Sequence, residues 1–280
     1  MGLLGLSIGG MVLPEYTTAK VKPAHTYATA GDYVVVAEGK IKALNSYRIY
    51  DNGMYRTPTS KIKKIINIGK DMGVKNMYEA FYGQTLLSEI IPGALDGCTE
   101  VMNFQNAFSG CTNLVSIPFG LFNKCTKVTN FSYAFQDCSG LTSIPAGLFD
   151  SCTEVTTFYR TFWKCKNLQA IPEGLFKNNT KVTSFSHTFT ECSNLKVIPT
   201  GLFDKCMEVT DFGGIFSFCT KVTSESPYTV ININEEDVKV HLYERNNYPE
   251  YFTVVPISYS SCYRNCTGLT DYSSIPIGWK

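Results

Sequence analysis

Residues 128–152 read VTNFSYAFQDCSGLTSIPAGLFDSC, and this stretch decides the architecture. Its apolar residues fall three and four apart: Val128, Phe131, Phe135, Cys138, Leu141, Ile144, Leu148 and Cys152. That spacing suits neither one long amphipathic helix nor a simple alternating strand. The stretch also halves, because Val128-x-x-Phe131-x-x-x-Phe135-x-x-Cys138 is echoed by Leu141-x-x-Ile144-Pro145-x-x-Leu148, with Cys152 closing the second half. Short extended segments that turn inward at corners read this way, as in one coil of a solenoid.

The stretch recurs on both sides. Phe81, Phe108, Phe135, Phe162, Phe189 and Phe216 are spaced 27 residues apart, as are Cys111, Cys138, Cys165, Cys192 and Cys219. Columns through Val101 to Val209 and Phe104 to Phe212 keep the same interval, and Ile-Pro recurs at 117, 144, 171 and 198. A second cysteine column runs through Cys98, Cys125, Cys152 and Cys206, with Asn179 in place of one member. A single unit cannot bury its apolar residues, so units must stack, Phe on Phe and Cys on Cys. With strands about 4.8 Å apart, six coils extend roughly 25–30 Å.

Composition narrows the function classes. The 280 residues carry 25 Lys+Arg against 24 Asp+Glu, a formal net charge of +1, which lacks the basic footprint of a dedicated nucleic-acid binder. Aromatic residues make up 13%, so the chain is not compositionally disordered. No run reaches the roughly 20 apolar residues of a membrane helix. Three histidines, His25, His187 and His241, are scattered along the chain and give metallo-hydrolase chemistry little to work with. Walker, dinucleotide, G-x-S-x-G and H-E-x-x-H motifs do not occur. These readings predict no catalytic residues, no metal site and no cofactor.

Eleven cysteines cannot all pair within one chain, and C-x-x-C is absent. The cysteine columns therefore read as core ladders of small buried side chains. Stacked thiols point the same way, which disfavours bridging, and apolar burial keeps them inert. Cys111, Cys138, Cys165 and Cys192 are expected to stay reduced, with the terminal Cys262 the readiest to react. Glu235, Glu236 and Asp237 read as one solvated acidic turn without EF-hand spacing.

The ends depart from the pattern. Residues 1–70 read as a β-rich N-terminal cap and 71–280 as the repeat array. Met1–Pro14 is apolar but lacks a basic leader, and is read as no signal peptide. From Phe216 to Tyr263 is 47 residues, 20 beyond the period, which marks an insertion near 228–257. There YTVININ (228–234) and the alternating Val238, Val240 and Leu242 predict a β-hairpin that seals the last coils.

Columns that repeat are core, so columns that vary face outward. The position two before the column Phe reads Glu79, Asn106, Tyr133, Arg160, His187, Gly214, and the one after it includes Trp163. Tyr133, Arg160, Trp163 and His187 are thus the candidate ligand-binding residues, on neighbouring coils along one ridge. Aromatic residues and Arg dominate interface hot spots, and an exposed Trp also grips sugars.

AFQDCSGLTSIPAGLF (134–149), its four near-copies and the closing CTGLTDYSSIPIGW (266–279) resemble the leucine-rich repeats of BspA-like surface proteins common in Bacteroides-type bacteria. The resemblance covers about residues 72–227 and 258–280, with a period longer than is usual in that family. HTYATAGDYVVVAEG (25–39) resembles the last strand of a PKD-type domain. The first resemblance implies a non-enzymatic cell-surface or extracellular binding protein, adhering to a host or bacterial surface protein. The alternatives are a carbohydrate-recognition module, whose partner is a glycan, and a phage or prophage receptor-binding component. The expected fold is a β-rich leucine-rich-repeat solenoid with an N-terminal β cap and a C-terminal hairpin insertion.

Overall fold

A computed structural model of the chain describes residues 49–51, 54–56, 62–68 and 73–280. The strand expected at 25–39, the apolar 1–14 segment and most of the N-terminal cap lie outside the described residues. Strands β1 (Ile49–Asp51) and β2 (Met54–Arg56) form an antiparallel pair, and β3 (Lys64–Ile65) pairs in parallel with β4 (Glu89–Ile90). From there the chain winds through successive coils that join by single parallel bridges. One ladder links Asn76, Asn103, Asn130, Thr157, Ser184, Asp211 and Ser258, each to the next. A partial second ladder contains Ser116 with Ser143, and Ala170 with Val197.

The β-rich expectation is corrected here. Between β4 and the hairpin the described coils contain bridges and tight turns rather than strands. The backbone hydrogen bonds show why. The N–H groups of Phe131, Tyr133, Phe135 and Asp137 donate to carbonyls of the next coil, at Thr157, Tyr159, Thr161 and Trp163. The intervening N–H groups of Ala134, Gln136 and Cys138 turn inward to carbonyls three residues back. Asn130 Oδ1 takes the remaining donor, Ser132 N–H, at 2.8 Å. Every donor from 131 to 138 is thereby satisfied, with no straight segment long enough to register as a strand.

Three phenylalanine columns fill the interior. Phe104, Phe131, Phe158, Phe185 and Phe212 stack at 5.5–6.1 Å between centroids. Phe81 through Phe216 form a second column that ends on Tyr263. The third column, Phe122, Phe149, Phe176 and Phe203, stacks at 6.0–6.2 Å and wedges tilted rings against the first. Period-27 columns bury rings on rings, which adds to the area term about 0.5–1.5 kcal/mol per well-set pair.

The cysteine ladders have a polar function that small size alone does not explain. From Cys111 onward each thiol donates to a main-chain carbonyl of the preceding coil. Cys138 reaches Phe108 O at 3.1 Å, Cys165 reaches Phe135 O at 3.2 Å and Cys192 reaches Phe162 O at 3.2 Å. Asn179 makes the equivalent bonds, its Nδ2 donating to Phe149 O at 3.2 Å and Cys152 O at 2.8 Å, while its Oδ1 is left without a partner. Asn179→Ala is therefore expected to cost about 1–3 kcal/mol by orphaning buried carbonyls. Asn179→Cys should be no less stable than the parent, since a thiol donates without leaving a stranded oxygen. Urea denaturation of both variants tests this, and equal losses would mean that the carbonyl bonds carry no weight.

Cys262 corrects another expectation. It is fully buried, in the column of Ala134, Thr161 and Thr188, and its thiol donates to Phe212 O at 2.8 Å. Burial pushes its pKa up, so it joins the inert thiols rather than standing out as reactive. The C-terminal segment closes the same coil. Trp279 folds back over the last coil, stacks on Tyr259 at 4.5 Å and accepts the Tyr263 N–H through its carbonyl.

The insertion contains β5 (Tyr228–Ile233) and β6 (Glu236–His241), paired from Tyr228 with His241 to Ile233 with Glu236. Its turn is the two residues Asn234 and Glu235, both at positive φ as a type I′ turn requires, so Glu236 and Asp237 belong to β6 rather than to the expected acidic turn. Ile231, Val240 and Phe252 form a small core of their own. Arg245, 2% exposed, lies over Phe252 at 4.7 Å and donates to Thr229 Oγ1.

Candidate functional site

The outward ridge is set by backbone conformation. Phe131–Ala134 and Phe135–Cys138 are successive tight turns, each closed by an N–H to the carbonyl three residues back. The third residue of each has a positive φ, the requirement of a type II turn. Through the coils the first such column reads Glu79, Asn106, Tyr133, Arg160, His187, Gly214 and Ser261, at φ of 55–61°. The second reads Gly83, Gly110, Asp137, Lys164, Glu191, Phe218 and Asn265. A left-handed backbone costs a non-glycine residue about 1–2 kcal/mol. Three of the four candidate residues, Tyr133, Arg160 and His187, occupy such positions.

All four meet in one cluster. The Arg160 guanidinium carbon lies 4.4 Å from the Trp163 ring centroid, 5.7 Å from that of Tyr133 and 5.0 Å from that of Tyr159. Lys164 Nζ is 4.5 Å from the Trp163 centroid, and the indole N–H donates to Glu191 Oε1 at 3.2 Å. Tyr159 contacts Tyr133 edge to face at 5.1 Å and His187 at 6.3 Å. Tyr133, Tyr159, Arg160, Trp163 and His187 are all half-buried. Sequence reasoning missed Tyr159, Lys164 and Glu191. Their columns also vary from coil to coil, which is the signal that would have found them.

The titrating groups are held in defined states. Thr190 Oγ1 donates to Gly214 O, so it accepts from His187 Nδ1, 3.1 Å away. This fixes the Nδ1–H tautomer and leaves Nε2 as an acceptor. Burial, then the charge of Arg160, lowers the His187 pKa, which keeps the ring neutral near pH 7. Burial, then the hydrogen bond with Tyr133, raises that of Tyr159 and keeps its hydroxyl protonated. The His187 ring also explains Gly214, where a Cβ would sit 2.5 Å from the imidazole.

A second cluster has the composition of a catalytic triad. Ser226 Oγ lies 2.8 Å from His241 Nδ1 and donates to Asp271 Oδ2 at 2.5 Å, while Asp271 Oδ2 stands 3.5 Å from the same ring nitrogen. A triad divides serine and carboxylate between the two imidazole nitrogens, and here both sit on one. Ser226 is fully buried, and Asp271 also takes the Ser226 N–H and the Tyr243 hydroxyl. The arrangement is a clasp joining the coil, the hairpin and the C-terminal turn. Nearby, an open groove of about 390 Å³ is lined by Glu173, Val197, Glu225 and Tyr228 and holds none of the ridge residues. Among the described residues no three His, Cys, Asp or Glu side chains cluster as metal ligands, and no helix is long and apolar enough to cross a membrane.

The sequence matches no protein-family model and no curated protein. Solved structures do show likenesses, among them leucine-rich repeat proteins. The APL1 leucine-rich repeat domain is 14% identical over 60% of this chain, with a TM-score of 0.36, and the chain spans only 41% of that domain. A leucine-rich repeat protein from Bacteroides ovatus is 17% identical over 87% of this chain and 70% of its own, with a TM-score of 0.29. A T. pallidum leucine-rich repeat protein is 17% identical over 57% of this chain and 78% of its own, at a TM-score of 0.24. At these scores the likenesses carry no argument about ligands, and the coil geometry rests on the hydrogen bonds of the chain itself.

Proposed function

We propose that this chain is a non-enzymatic binding module, a leucine-rich-repeat solenoid of 27-residue coils displayed at a bacterial cell surface. Residues 1–70 serve as its N-terminal cap and 71–280 as the repeat array. The ridge of Tyr133, Arg160, Trp163 and His187 contacts a partner protein in adhesion. One observation carries the reading: Tyr133 and Trp163 converge on the Arg160 guanidinium and His187 meets the same cluster through Tyr159, while Tyr133, Arg160 and His187 hold left-handed positions where glycine would be unstrained. A carbohydrate-recognition module is the second reading and rests on Trp163. It is the weaker, because Arg160 and Lys164 already cover the indole where a sugar ring would stack.

Panning displayed peptide libraries on the full chain tests the proposal. Ridge binders should be lost on Trp163→Ala and on Arg160→Gly, a variant that relieves the left-handed backbone at φ 55°. Binders indifferent to both changes would overturn the ridge assignment. Specific glycan-array ligands lost on Trp163→Ala would select the carbohydrate reading.

A further inference from the structure

Away from the ridge, three coil lysines pair with carboxylates of the preceding coil. Lys127 pairs with Glu100 at 2.7 Å, Lys177 with Asp150 at 2.9 Å and Lys181 with Glu154 at 2.6 Å. The ridge is built differently. Among the described residues Arg160, Lys164 and Arg264 have no carboxylate within ion-pair distance, and each lies over an aromatic ring instead. Asp137 and Glu191 occupy the coils on either side of Lys164 in its own column, yet neither pairs with it, and Glu191 is taken by the indole N–H of Trp163. Arg160 Nε is buried with no hydrogen-bond partner. A guanidinium stacked by its face presents its N–H groups in its own plane, the geometry that receives a carboxylate.

Resting on the binding reading above, we propose that the ridge recognises an acidic peptide segment of its protein partner, bound in extended form across the coils. Arg264 occupies the column of Trp163 three coils further on and lies 5.3 Å from the Phe218 ring. Three coils at about 4.8 Å set the two cationic centres roughly 14 Å apart. An extended peptide advances about 3.3 Å per residue, so side chains at i and i+4 share a face and span the same distance. The ligand therefore carries carboxylates at i and i+4, one for each arginine. Its middle residues pass over His187, Thr190 and Phe218.

The full chain contains two tryptophans, of which Trp279 is buried, so Trp163 emission reports on the ridge. The probes are synthetic peptides carrying Glu-Ser-Gly-Ser-Glu and versions with both Glu replaced by Gln or by Lys. The Glu peptide should perturb Trp163 emission saturably, with affinity falling as salt rises. Arg160→Gln should weaken it about tenfold or more, the loss of one charge-assisted contact. Lys181→Gln, on the self-neutralised face, should change it less than twofold. Equal affinity for the Gln peptide, or unchanged binding by a folded Arg160→Gln protein, would overturn the proposal. So would displacement by inorganic phosphate at constant ionic strength, which would reassign the site to free anions. Ridge-dependent library binders that are neutral or basic would sink the acidic ligand while leaving the binding reading intact.

Discussion

Phe149→Ala is expected to destabilise the protein by about 3–5 kcal/mol, toward the upper end of that range. Phe149 stacks between Phe122 and Phe176 at 6.0 and 6.2 Å and presses tilted against Phe131 and Phe158 at 4.8 and 4.7 Å. A fifth ring, Phe162, lies 6.3 Å away, and Phe149 itself is fully buried. Truncation opens a cavity walled by rings that are each held in their own columns, so little collapse can fill it. Phe135→Ala removes fewer ring contacts, to Phe108, Phe162 and Phe122, and should fall at or below Phe149→Ala. Urea titration followed by far-UV circular dichroism measures both. A loss under about 1 kcal/mol at Phe149 would mean that the coils do not depend on the third column. Coil stability also couples to nearest neighbours, so a defect in a central coil should separate the Trp163 and Trp279 emission transitions.

The second large effect is unfolding in alkali. Burial raises the pKa of ten of the eleven cysteines, for Cys98, Cys111, Cys152 and Cys206 to about 12. An unfolded thiol ionises near pH 9.0. Above that pH the unfolded chain holds fewer protons than the folded one, so stability is intact below pH 9 and falls as pH rises. Each protected thiol contributes a slope of about 1.4 kcal/mol per pH unit. Ten such slopes together exceed a usual stability of about 5–15 kcal/mol within roughly one unit. Cooperative unfolding is expected at about pH 10 in the presence of a reductant. Circular dichroism across an alkaline titration measures it, and a chain still folded at pH 11 would show that the thiols are not enclosed as described.

The three phenylalanine columns differ in how legible they were. Two are visible as Phe-x-x-x-Phe in the first half of the coils. The third hides behind Leu148, because in Gly-Leu-Phe either apolar residue can be the inward one, and both prove buried. The cysteine ladder was visible, but its reason was not: thiol-to-carbonyl bonds run between residues 30 apart, so local spacing cannot reveal them. Cys262 departs from the expected reactivity because its side chain faces inward and bonds Phe212 O, a carbonyl 50 residues back that local spacing does not reveal. Strand content was overestimated because the alternation of N–H direction comes from turns, which apolar spacing does not distinguish from strands.

What the sequence determined by itself is the set of side chains that superpose. Identical residues at one interval bury only by stacking, and hydrophobic burial does not depend on the details of the turns. The varying columns named the ridge residues, but only the tertiary structure decided their backbone conformation and their contacts. Left-handed φ is ordinarily announced by glycine, and here Tyr133, Arg160 and His187 adopt it because carbonyls of the neighbouring coil hold their N–H groups. The same holds for the convergence of Tyr159, Lys164 and Glu191 on Trp163 and Arg160. Those contacts join side chains from adjacent coils, whose closeness is set by how far apart the coils stack and not by any local property of the chain.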